Sequence, residues 1–130
     1  MNYNPADFEK SEKDIKFSKE TSLDEASAEK AYNFMANNLD TLAEYEEASD
    51  LLDNYTKHLV DNLASMAEGS EAAKKRTAHA DTAYRVHIEN LSYAKARFSK
   101  MRRLYDLAKI RIEMWRTKEA SSRIQYLVSD

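Results

Sequence analysis

Four carboxylates, Glu44, Glu47, Asp50 and Asp53, recur at three-residue intervals. On a helix such a ladder gathers acids on one side, the kind of oxygen donor set that hard divalent cations take. A metal site between two helices needs a second closely spaced acid pair, and the C-terminal stretch offers only Asp106, Glu113 and Glu119. The ladder therefore reads as a solvated face, or as one that pairs with cations. His79 and Asp81 form the other candidate, a metal-binding or acid/base pair with His87 two helical turns further on. The chain has no Cys, no third ligand at metal spacing and no His/Glu helix motif. His79 and Asp81 are then expected in a turn and its cap, with His87 on an apolar seam. His58, with Asn54 and Asn62 one turn to either side, is assigned no role. The sequence thus predicts no catalytic residues, no metal site, no cofactor and no enzyme.

The cations are ordered differently. Lys95, Arg102, Lys109, Arg116 and Arg123 recur every seven residues, and Arg97, Arg111 and Lys118 fall on a second seven-spaced column. Residues 95–123 hold ten Lys/Arg against three acids, interleaved with Phe98, Tyr105 and Trp115. Cations that track a phosphate backbone beside aromatic faces suit single-stranded nucleic acid. The candidate nucleic-acid contacts are Lys74, Lys75, Arg76, Lys95, Arg97, Arg102, Arg103, Lys109, Arg111 and Arg116, with Lys109 and Arg116 the foremost pair. The competing account is structural. Residues 1–69 carry 6 Lys/Arg against 16 Asp/Glu, a balance of −10, whereas residues 70–130 carry 14 against 7, a balance of +7. An acidic helix bearing Glu44, Glu46, Glu47, Asp50 and Asp53 would neutralise Arg102, Lys109 and Arg116 across a helix pair.

These columns need long helices to carry them. One Gly and one Pro in 130 residues leave too few turn formers for a β-meander or a phosphate-cradling glycine loop. No apolar run approaches the ~18 residues of a membrane span, and the acidic start lacks a signal-peptide core. Together with the missing cysteines this predicts a cytoplasmic protein with no membrane partner. Residues 1–21 read as a polar tail, partly disordered or a short helix begun at Asn4-Pro5, with Phe8 and Ile15 on one side. Residues 22–130 form a single helical domain: helix 23–68, connector 69–80 and helix 81–127. Ser22 and Glu25 fit a capping box, Gly69 ends the first helix, a short helix around Ala72–Ala78 fills the connector, and Asp81 caps the last helix.

In the last helix the seam is Tyr84, Leu91, Phe98, Tyr105 and Ile112, with His87, Ala94, Met101, Ala108 and Trp115 three residues later. In the first helix Tyr32, Met35, Leu39 and Leu42 are followed by Tyr45, Ala48, Leu52, Tyr55, Leu59, Leu63 and Met66, so the register shifts between 42 and 48. The fold class is all-α: a long antiparallel helical hairpin of coiled-coil type with a short connector helix. Such a hairpin leaves Val86, Tyr93, Leu107 and Met114 as a second apolar column, and an unburied stripe of that kind marks a partner surface. A homo-oligomer with these four residues at its interface is the favoured reading. The alternative is a first helix broken near residue 45 that folds back to cover the stripe.

Two stretches, Gly69-Ser70-Glu71-Ala72-Ala73-Lys74-Lys75-Arg76-Thr77-Ala78-His79-Ala80-Asp81 and Ala108 through Arg123 with its Trp115-Arg116 and Ala120-Ser121-Ser122-Arg123 segments, carry a family resemblance. The order of acidic helix, glycine turn and long basic helix over residues 30–125 resembles small tailed-phage proteins of the UvsY-like recombination-mediator type. The resemblance implies a ring-like helical oligomer that binds single-stranded DNA and helps a recombinase displace single-strand-binding protein. That family places basic residues just before the turn. Residues 58–69 here hold none, and contain Asp61 and Glu68, so Lys74, Lys75, Arg76 and the basic columns stand in for that site. The runner-up function is a phage adaptor or anti-defence protein that grips a host protein through its helical surface without binding nucleic acid.

Overall fold

The computed structural model describes residues 22–128, and the expectations for the Asn4-Pro5 helix and for Phe8 and Ile15 fall outside them. The described residues form three helices and no strand: α1 (Glu25–Ser65), α2 (Glu71–Ala80) and α3 (Thr82–Val128). The protein is all-α. No helix among the described residues is long and apolar enough to cross a membrane.

Each helix boundary follows from a small set of side chains. At the start of α1 it is Asp24, not Ser22, that caps: its Oδ1 accepts the Ser27 N–H at 2.8 Å, and its carbonyl accepts from the Ala28 N–H. A carboxylate at this position also meets the positive end of the helix dipole, which a hydroxyl two residues earlier cannot do. The helix stops at Ser65, short of Gly69, and its last turn tightens through bonds from the Met66 and Ala67 N–H groups to the Leu63 and Ala64 carbonyls. Gly69 follows at φ 109°, left-handed backbone that L side chains resist. Ser70 Oγ then accepts from the Ala73 N–H and opens α2, a regular ten-residue helix that takes up most of the expected connector. Asp81 serves two helices. Its N–H closes α2 on the Ala78 carbonyl, and its Oδ1 accepts the Ala83 N–H at 2.7 Å to open α3.

By contacts the chain divides into two units, residues 42–99 and the described residues of the 1–41 and 100–130 segments. The first unit buries Tyr45, Ala48, Leu59, Ala78, Leu91 and Ala94, together with Ser49 and His87. The second buries Ala28, Ala31, Phe34, Met101 and Ala108, together with Ser27 and Asn38. In α3 the buried side chains are those of the apolar seam, with Met101 and Ala108 fully enclosed.

In α1 the register differs from the expectation. Ala31, Asn38, Tyr45, Leu52 and Leu59 form one unbroken seven-residue column, with Phe34, Thr41 and Ala48 three residues later, and all are buried or half-buried. There is no shift between 42 and 48, and the helix does not break near residue 45. Four of the residues expected on the seam, Tyr32, Leu39, Tyr55 and Met66, are exposed instead. Asn38, a polar occupant of this column, is satisfied locally: its Nδ2 donates to the Phe34 carbonyl one turn back at 2.9 Å.

Candidate nucleic-acid interface

Within residues 42–99, the basic candidates are mostly engaged. Lys95 Nζ lies 3.6 Å from Asp53 Oδ1, so the acidic ladder supplies at least one cross-helix ion pair. The Arg97 guanidinium carbon sits 5.2 Å from the Tyr45 ring centroid and 4.8 Å from that of Tyr93. Two aromatic faces hold this cation by attraction to their negative quadrupoles, which makes it a structural clamp rather than an open phosphate contact. On α2, Lys74 lies 3.9 Å from Glu71, while Lys75 and Arg76 are exposed. His87 is buried on the seam and its Nε2 is 2.8 Å from Thr56 Oγ1, with the Tyr55 ring edge-on at 5.6 Å. His79 is exposed and stacks edge-on against Tyr84 at 5.0 Å. Among the described residues no three His, Asp or Glu side chains converge for a metal ion.

The other unit holds Arg102, Arg103, Lys109, Arg111 and Arg116. Arg102 reaches Asp106 on its own helix at 3.8 Å, an exposed pair one turn apart, rather than an acid of α1. Arg103 is exposed and Arg111 half-buried. Lys109 and Arg116 behave differently: together they line a groove of about 350 Å³ whose walls include Tyr32, Met35 and Leu39 of α1 and Tyr105 and Ile112 of α3. A second hollow of about 310 Å³ shares Tyr32, Ile112 and Arg116 and extends to Trp115, Glu25 and Glu29. The groove exists because of the α1 register. With Ala31 and Phe34 turned to the seam, Tyr32 and Leu39 are left outward, 65% and 55% exposed, and become a groove wall. Sequence reasoning named Lys109, Arg116 and Tyr105 but spent Tyr32 and Leu39 on the seam. The available signal was the unbroken column of Ala31, Asn38 and Tyr45.

Of the expected oligomer-interface residues, Val86, Tyr93 and Met114 are exposed, at 47%, 53% and 48%, and Leu107 is half-buried. Comparison with protein-family models, with curated proteins and with solved structures finds no match.

Proposed function

We propose that this chain is a non-enzymatic accessory protein of phage DNA recombination, which binds single-stranded DNA and assists recombinase loading as a homo-oligomer. The observation that carries the reading is the groove. Lys109 and Arg116 stand seven residues apart on α3, about 10.5 Å along the helix, and the same walls present Tyr32 and Tyr105. Cations at that interval can follow a strand's phosphates while the rings receive unstacked bases, each stacked base contributing about 1–3 kcal/mol. The cross-helix contacts in residues 42–99, Tyr45 with Arg97 and Thr56 with His87, pair rising numbers in α1 with falling numbers in α3. That order supports an antiparallel hairpin as the scaffold. Exposed Val86, Tyr93 and Met114 supply the apolar surface for self-association, and the UvsY-like resemblance supplies the recombinase or single-strand-binding protein as a further partner.

Binding of a labelled single-stranded oligonucleotide, followed by anisotropy over a salt series, tests the proposal. Affinity should fall steeply and linearly on a log–log plot as phosphate contacts give way to counterions. A chain that shows no affinity even at low salt is instead the host-protein adaptor, for which the same exposed apolar residues would be the gripping surface.

A further inference from the structure

The groove between α1 and α3 holds one group that phosphate binding does not explain. Glu113 lines it together with Lys109 and Arg116. On α3 it follows Lys109 by four residues and precedes Arg116 by three, so its carboxylate stands about one turn from each cation on the same side of the helix. All three residues are exposed. Pairs at this spacing do close elsewhere in the chain, Lys74 with Glu71 at 3.9 Å and Arg102 with Asp106 at 3.8 Å. Among the described residues, Glu113 joins no ion pair. A negative charge between two phosphate contacts weakens a site that takes phosphate alone, unless the ligand also brings it a hydrogen-bond donor. Within a DNA strand those donors belong to the bases. Cytosine offers its exocyclic N4 amine and adenine its N6 amine, whereas thymine presents the O4 carbonyl in that place, an acceptor that a carboxylate repels. We infer that Glu113 is the specificity-determining residue of the groove, accepting from the amine of a base and disfavouring thymine. This rests on the single-stranded DNA reading and deepens it by naming which strands the groove prefers.

Tyr32 brings a base to this carboxylate. It lines both the groove and the adjoining hollow, each time with Ile112 and Arg116, so its ring stands across from the turn of α3 that carries Glu113. At 65% exposure the ring has a face open to stacking. A stacked base uses its π-face and keeps its polar edge for hydrogen bonds. Stacking accepts every base; the carboxylate does not. The adjoining hollow carries two further acids, Glu25 and Glu29 at the start of α1, but neither lines the groove that both Lys109 and Arg116 line. Glu113 is the acid placed between the two cations.

The test titrates the full-length protein with oligo-dC, oligo-dT and oligo-dU of one length, at one salt concentration and neutral pH, and reads fluorescence anisotropy. All three are pyrimidine strands, and oligo-dU keeps the O4 carbonyl of thymine without its methyl group. Oligo-dC should bind roughly fivefold tighter than oligo-dT, about the net worth of one hydrogen bond, with oligo-dU close to oligo-dT. Glu113→Gln keeps the side chain's shape but carries an amide that both donates and accepts, so the ratio of the two affinities should fall to about one. Removing the charge also eases the approach of phosphate, and affinity for every strand should rise. A carboxylate that acted through its charge alone would raise all the affinities by one factor and leave their ratio as it was. At an exposed position the substitution leaves the fold intact. Equal affinities of the parent for oligo-dC and oligo-dT, an oligo-dU that binds like oligo-dC, or a ratio that survives Glu113→Gln would each overturn the inference while the DNA reading stands. No binding of any of the three strands, even at low salt, would overturn both.

Discussion

Ala31 and Tyr32 stand side by side in α1, yet the structure gives them opposite fates, and exchanging each for Glu tests the helix register directly. Ala31 is fully buried and Tyr32 is 65% exposed. Glu at residue 31 must overfill a closed seam, at about 1–3 kcal/mol, and must also hold a carboxylate without a partner in an apolar site. The sum is at least about 3 kcal/mol, or more than two decades in the unfolding constant. For a chain of this size that corresponds to a fall in Tm on the order of 10 °C or more. Glu at residue 32 stays in solvent and forfeits only contacts along the groove wall, so its cost should remain below about 1 kcal/mol. Far-UV circular dichroism melts of the two variants beside the parent give both values. The reasoning is refuted if Tyr32→Glu melts as low as Ala31→Glu, or lower, since that is the order the shifted register requires.

Other consequences are local or concern assembly. A double-mutant cycle on Thr56→Val and His87→Phe should return a coupling of about 1 kcal/mol in chemical denaturation, the usual net worth of one hydrogen bond, and a coupling near zero would remove that bond from the account. Gly69→Ala should destabilise by about 1–2 kcal/mol, because its φ of 109° suits no L side chain and the new Cβ would lie 3.2 Å from that of Ala73. Light scattering should find an oligomer at low micromolar concentration, and Tyr93→Glu with Leu107→Glu should reduce it to the 15.0 kDa chain while keeping most of the helix. A parent protein already at 15.0 kDa would dispose of the oligomer.

The α3 seam was legible in the sequence because large side chains mark it: Leu91, Phe98, Met101, Tyr105 and Ile112 repeat without interruption. The all-α class followed from the near absence of Gly and Pro, and Asp81 was legible as a cap. In α1, size misled. The buried column uses Ala31, Asn38 and Thr41, whereas the larger Tyr32 and Leu39 face outward, so a reading that follows bulk selects the wrong face. Small residues on one helix leave room for the large α3 side chains of the same unit, such as Met101, and hydropathy alone does not register that complementarity. The site was legible only in part. Spacing selected Lys109 and Arg116, but the walls beside them depend on the α1 register, and the capture of Arg97 between two tyrosines depends on tertiary packing.

The central claim is that Lys109 and Arg116 contact phosphate, and the salt slope of oligonucleotide binding measures this most directly. For single strands each phosphate contact contributes about −0.7 to the slope of log K against log salt. The full-length Lys109→Ala/Arg116→Ala protein should therefore show a slope shallower by about 1.4, with weakened affinity for every sequence tried and an unchanged melt. A slope identical to the parent's, in a variant that is still folded, would contradict the account.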